Sequence, residues 1–191
     1  MGAARRAVIR GAAPRSSRQE CAGGVRRPTT LLIRDAAPAD APVLGDIAAA
    51  AKAHWGYPDA WMAAWRASLA IAPADLAHWR VRIATGDDVA PIGFVATSDS
   101  LPRWAVEHLW VHPTVMGRGI GRRLLLDALH AAHAAGALGL TIDADPHASD
   151  FYRRCGARVV SALPAPMPGA PDRTLPRLWL DADVAPPGRP R

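Results

Sequence analysis

Residues 111 to 123, Val-His-Pro-Thr-Val-Met-Gly-Arg-Gly-Ile-Gly-Arg-Arg, constrain the fold more than any other stretch of this chain. An apolar run from Trp104 to Val111 ends in them, Gly117, Gly119 and Gly121 follow at alternate positions, and a helical pattern then begins without a spacer. Glycine lets a backbone turn sharply and approach a ligand closely. The first N–H groups of a helix, helped by its macrodipole, attract an anion, and Arg118, Arg122 and Arg123 add positive charge where a polyphosphate would need it. Two familiar uses of such a turn fail here. A Walker loop needs a Lys after the glycines, and none follows. A dinucleotide fingerprint belongs in the first strand-helix unit of a parallel sheet, whereas this turn lies past mid-chain.

The flanking patterns predict a mixed α/β domain in the order β α α β β β α β α β β, without internal repeats. Thr30 to Arg34 reads as a first strand, and Pro38, Asp40 and Pro42 open an Ala-rich helix to about His54. After the Trp55-Gly56-Tyr57-Pro58 break, Asp59 is expected to cap a second helix in which Trp61, Trp65 and Leu69 form one apolar stripe. That spacing reads as core. From Trp79 the period changes to two, and Gly86, Asp87 and Asp88 turn the chain into a hairpin with Ile92 to Thr97. The helix from about Gly119 to Ala135 turns Ile120, Leu124, Leu125, Ala128, Leu129 and Ala132 to one face, and Gly136 stops it. A strand at Leu138 to Asp143, a helix at Pro146 to Cys155, a strand at Ala157 to Leu163 and a last strand around Leu178 to Leu180 complete the order.

The stretch Met116-Gly117-Arg118-Gly119-Ile120-Gly121 resembles the coenzyme A pyrophosphate loop of the GNAT superfamily of N-acyltransferases, Gln/Arg-x-x-Gly-x-Gly/Ala. A second signature follows about 30 residues on. Asp145-Pro146-His147-Ala148-Ser149-Asp150-Phe151-Tyr152, running to Cys155-Gly156-Ala157, is similar to the family's polar residue after a strand and its Phe-Tyr helix. Met116 stands where Gln or Arg is usual, and Asp145 where Asn is common. The likeness covers about residues 30 to 183, so the chain divides into a basic tail of residues 1 to 28, expected to be disordered, and an acyltransferase domain of residues 29 to 191. The resemblance implies a mixed, mostly antiparallel sheet flanked by helices, acetyl-CoA as co-substrate, and direct acetyl transfer to an amine without a covalent enzyme intermediate.

Such a reaction sets three tasks: the amine must lose a proton, the thioester carbonyl needs hydrogen-bond donors, and the departing thiolate gains from a proton. By strand alternation Glu107 is expected on the face of Leu109 and Val111, with His108 on the opposite face in a structural place. Glu107 then reads either as the base or as a cross-strand partner of an arginine. The family resemblance implies that backbone N–H groups near Leu109, Trp110 and Val111 receive the carbonyl, that Tyr152 is the acid, and that Met116 to Arg122 with Asp145 hold the cofactor. His54, Trp55 and Tyr57 lie in the break between helices that borders the acceptor cleft in this family, and Arg173 is placed to hold a substrate carboxylate. Trp55 and Tyr57 also read as helix packing, and Arg173 as a solvated loop charge.

Charge and cysteine content exclude other classes. Seven arginines and one glutamate before residue 29 account for the whole formal charge of +6, leaving a neutral domain. A nucleic-acid-binding role is therefore not expected of the folded part. Lys52 is the single lysine among 23 basic residues, a bias that fits a GC-rich coding sequence more than a functional tail. Cys21 and Cys155 build neither a disulfide framework nor a thiolate zinc site, and the histidines are not grouped for a metal, so no metal is expected. With no spanning run or secretory leader, a cytoplasmic enzyme is expected. Its acceptor is expected to be a small-molecule amine such as an amino acid, polyamine or amine-bearing antibiotic, and a homodimer is compatible with this reading. The alternatives are acetylation of a protein or aminoacyl-tRNA amine, and a non-catalytic acyl-CoA-binding module.

Overall fold

The computed structural model describes residues 31–87 and 89–183; the basic tail and the turn residue Asp88 lie outside them. Within the described residues the chain follows the predicted order. It runs β1 (Leu32–Asp35), α1 (Ala41–Ala53), α2 (Asp59–Leu69), β2 (Arg80–Thr85), β3 (Pro91–Ser98), β4 (Trp104–Val111), α3 (Ile120–Ala134), β5 (Gly139–Asp143), α4 (Ser149–Arg154), β6 (Arg158–Pro164) and β7 (Thr174–Asp181). The strands form one sheet ordered β1-β2-β3-β4-β5-β7-β6. Every neighbouring pair is antiparallel except β4 with β5. That single parallel junction is the one that α3 crosses, as a parallel pair requires a long connection.

Strand alternation assigns the helices to opposite faces. Ile83, Phe94 and Ala96 are buried with Leu44, Ile47 and Ala48 of α1, whereas their strand neighbours Ala84 and Val95 are buried with Leu124, Leu125 and Ala128 of α3. Adjacent strand residues point to opposite sides, so α1 with α2 covers one face and α3 the other. All six apolar residues predicted for one side of α3 are buried there. Arg82, on the α3 face of β2, is held by Asp127 of that helix at 3.0 Å, which keeps a charged strand residue satisfied under the helix. No helix among the described residues is long and apolar enough to cross a membrane.

Three local expectations change. Asp59 is the first residue of α2, not its cap; Pro58 holds the cap position and no side chain satisfies the end. The last strand begins at Thr174, earlier than the apolar run around Leu178 to Leu180 suggests, because β7 is paired on both sides and its ladder extends through Pro176 and Arg177. The stripe on α2 is only partly core: Leu69 is buried, whereas Trp61 donates its indole N–H to the Pro168 carbonyl at 2.8 Å and so ties α2 to the loop before β7.

The junction of β5 with β7 leaves no room at Gly139. A methyl there would overlap the Leu180 carbonyl and stand 2.6 Å from the Trp179 ring. Gly139→Ala is expected to cost about 1–3 kcal/mol by overpacking, read as a lowered urea midpoint. An unchanged midpoint would mean that β5 and β7 are not in this register.

Candidate active site

The site begins where two strands part. β4 pairs with β5 only through Trp104, Ala105 and Val106, facing Leu140, Thr141 and Ile142, and from Glu107 onward β4 has no partner on that side. The opposite edge of β4 shows why. Ala96 of β3 faces His108 and Thr97 faces Val106, so Glu107 is an extra residue in a bulge, which bends the strand and increases its twist.

The bulge corrects the expected placement of Glu107. Val106 and Leu109 both face α3, and between them Glu107 and His108 share the α1 face. His108 packs on Trp79 and Phe94, and Glu107 accepts a 2.7 Å hydrogen bond from Ser98, whose pairing partner Ala105 lies on that same face. Glu107 is therefore not on the face of Leu109 and Val111, and its neighbour across the strands is a serine hydroxyl and not an arginine. His108 has the structural place expected of it. Its Nδ1 accepts from the Trp110 indole at 3.1 Å, and burial holds its pKa below the ordinary value, so the ring stays neutral.

The parted edge exposes backbone donors. His112 donates to the Ile92 carbonyl at 2.9 Å, so residues two apart from it, including Trp110, turn their N–H groups toward β3. Leu109 and Val111 turn theirs into the gap. Trp110 instead presents its side chain, which borders the cavities on both sides of the gap.

A cleft of about 540 Å³ runs from this gap to the start of α3. Gly117 at φ +75° and Gly119 at φ +80° carry the chain through left-handed turns, with Gly119 capping α3. Met116, Ile120, Gly121 and Arg122 line the cleft with them, and the first-turn N–H groups of the 15-residue α3 have no intrahelical acceptor. Arg118 is different. It is exposed, folds back to donate to the Thr114 carbonyl at 3.3 Å, and does not line the cleft. Open backbone at one end and a glycine-framed helix terminus at the other fit a long ligand with a carbonyl head and a pyrophosphate tail, so these residues suit acetyl-CoA. Tyr152, only 6 % exposed, borders the cleft beside Phe151. Burial, then the nearby Cys155 and Asp145, push its phenol well above the ordinary range and keep it protonated.

On the α1 side of the gap lies a second cavity of about 310 Å³, which shares Trp110, Asp143 and Asp145 with the cleft. Asp145 is the centre of this region. Its carboxylate accepts from Lys52 Nζ, from the Tyr57 hydroxyl at 2.8 Å and from the His147 backbone N–H at 3.0 Å. The Lys52 and Asp145 side chains are each 9 % exposed. Burial alone would raise the Asp145 carboxyl, but Lys52, His147 N–H and Tyr57 together hold it below the ordinary value. Burial pulls the Lys52 ammonium down against the opposing pull of Asp145. Burial and then Asp145 push the Tyr57 phenol up to about 12, so the hydroxyl remains a donor. Lys52 Nζ also lies 4.0 Å from the Trp65 ring centroid, and Arg173 Cζ lies 5.3 Å from it.

Of the acceptor residues expected from sequence, Tyr57 and Arg173 come to this region, and Trp55 stacks on His147 at 5.1 Å on the wall of the cleft. His54 does not: it is exposed at the end of α1, touches Trp55 edge-on, and borders neither cavity. Sequence reading missed Lys52. Its signal was present, since a lone lysine among arginines sits in the last turn of an apolar, Ala-rich helix. Removing the charge of Asp145 leaves that ammonium buried and unpaired, so Asp145→Asn is expected to lower stability by about 3 kcal/mol in urea. The contribution is complete above the ordinary carboxyl pKa of 3.8 and is lost as pH falls through the lowered one. A cost below about 1 kcal/mol would mean that the pair is solvated.

A family model described as the acetyltransferase (GNAT) family matches residues 45–157. Among solved structures, a GCN5-related N-acetyltransferase from Rhodopseudomonas palustris is 26 % identical, with a TM-score of 0.65 over 83 % of this chain and 99 % of that one. A PaiA N-acetyltransferase from Thermoplasma acidophilum, solved in complex with coenzyme A, is 18 % identical, with a TM-score of 0.62 over 80 % and 99 % of the two chains. The ribosomal-protein-S18-alanine N-acetyltransferase from Escherichia coli is 16 % identical, with a TM-score of 0.61 over 83 % and 97 %. These last two likenesses are of fold. A search of curated proteins finds no match to the chain.

Proposed function

Because the chain belongs to the GNAT acetyltransferase family and is an acetyl-CoA-dependent N-acetyltransferase, we propose that it acetylates the primary amine of a small molecule at the gap between β4 and β5. The observation that carries this reading is the shared wall of Trp110, Asp143 and Asp145 between a long cleft and a smaller cavity. A donor in one and an acceptor in the other meet there without an enzyme-bound acyl group. The smaller cavity holds only about 310 Å³ and is bordered by Ala165, Pro166 and Met167 of the loop before β7, which Trp61 holds through the Pro168 carbonyl. That favours a small acceptor over a protein or tRNA end.

When bound, acetyl-CoA supplies an acetyl group activated as a thioester. The N–H groups of Leu109 and Val111 receive the carbonyl oxygen as it gains negative charge. Gly117, Gly119, Gly121 and the first turn of α3, with Met116 and Arg122 beside them, seat the pyrophosphate. Glu107 borders the larger cleft and not the smaller cavity, so it takes the amine proton through water. Tyr152, kept protonated by burial, gives a proton to the departing sulfur. Trp55 lies on the wall of the cleft, and Tyr57 holds Asp145 at the shared wall.

A side chain at Gly119 meets no atom within 4 Å, so Gly119→Asp is accommodated in the fold at a strain of about 1 kcal/mol yet sets a negative charge against the pyrophosphate. Calorimetry should show acetyl-CoA binding abolished with the melting temperature near that of the parent; unchanged affinity would remove the loop from the site. Tyr152→Phe is expected to lower kcat about 100-fold with acetyl-CoA affinity nearly unchanged. Glu107→Gln should remove the acidic limb of the pH profile of kcat/KM, whereas an active variant with the parent profile would reduce Glu107 to a partner of Ser98.

A further inference from the structure

The smaller cavity has a charge pattern that selects among amines. Its wall carries two cations, Lys52 and Arg173, and two carboxylates, Asp143 and Asp145. Three of the four are matched: Asp145 takes Lys52, and Asp143 is held by both arms of Arg177, at 2.6 and 2.7 Å. Arg173 is the remainder. Its Nη1 donates to the Ala165 carbonyl at 3.2 Å, and its Cζ lies 5.6 Å from the Trp61 ring centroid and 5.3 Å from that of Trp65. Among the described residues it forms no ion pair. It also hydrogen-bonds the Tyr57 hydroxyl. The guanidinium is thus held against two indoles by neutral partners that leave its charge unmatched, and its N–H fork suits a carboxylate.

The rest of the cavity is apolar. Trp65, Trp110, Met167 and Leu175 border it, which suits a hydrocarbon or aromatic body. A ligand with a second ammonium group would face Arg173 and Lys52, while both carboxylates of the wall are already engaged, Asp145 by Lys52 and Asp143 by Arg177. Resting on the N-acetyltransferase reading above, we infer that this cavity binds an amine bearing a carboxylate on an apolar body, as a small α-amino acid with an apolar side chain does. The carboxylate pairs with Arg173, the body lies against Trp65, and the amine turns to the Trp110 and Asp145 wall where the cleft opens.

The test uses the full chain with coenzyme A present to fill the larger cleft, and follows tryptophan fluorescence, since Trp65 and Trp110 border the smaller cavity. The probes are 3-phenylpropanoate, L-phenylalanine, 2-phenylethylamine and spermidine. Both carboxylates are expected to bind at least about tenfold more tightly than the two amines without one. Arg173→Gln should erase that preference, and Arg173→Lys, which keeps charge but loses the fork, should retain part of it and serves if the first variant does not fold. Equal or tighter binding of 2-phenylethylamine or spermidine, or an undiminished preference in Arg173→Gln, would overturn the inference. Thiol release from acetyl-CoA separates the two levels of the account. Carboxylate binding with no thiol release on any amino acid would contradict the proposed acceptor chemistry and leave the site standing. Release on simple amines with no carboxylate preference would contradict the site and leave the chemistry standing.

Discussion

The proposed chemistry depends on the point at which β4 stops pairing with β5. The last paired residue of β4 is Val106 and the bulge residue is Glu107, so the ladder ends where the strand bends. A fully zipped parallel pair would spend the N–H groups of Leu109 and Val111 on β5 and leave no passage between the two faces of the sheet. The bend leaves those groups unspent, opens the passage, and turns Glu107 toward the face that α1 and α2 cover. One inserted residue thus produces the unspent N–H groups proposed to receive the carbonyl, the place of the candidate base and the junction of two cavities.

The buried pair of Lys52 and Asp145 holds the other side of that opening. Lys52 comes from the last turn of α1 and Asp145 from just beyond β5, so the pair fastens the helix to the strand that β4 has left. A buried ion pair contributes little net stability compared with apolar residues of the same shape, but it is costly to break. Its value here is positional. It neutralises two of the charges at the smaller cavity and orients Tyr57, while Arg173, against Trp61 and Trp65, forms no ion pair among the described residues.

Much of this was legible in the sequence. The 3.6-residue pattern from Ile120 to Ala132 specified which face of α3 is buried, and the alternation at Val81 and Ile83 specified the hairpin, because burial of one face is what those periods encode. The glycines at 117 and 119 occupy left-handed backbone conformations that favour glycine, which is the physical reason a sharp turn could be read there. Strand alternation misled at Glu107, since a bulge leaves no mark in hydrophobic period. Lys52 was missed because its partner is 93 residues away, and pairing across a fold cannot be read from local pattern. Arg118 looked equivalent to Arg122 in sequence, yet the left-handed turns on either side of it direct it back toward Thr114.

The central claim is that donor and acceptor occupy two cavities at once and react across their shared wall. Initial rates measured while acetyl-CoA and an amino acid acceptor are varied together test it most directly. Double-reciprocal lines that intersect are the result expected of a ternary complex. Parallel lines, the pattern of an acyl-enzyme formed before the amine binds, would contradict it.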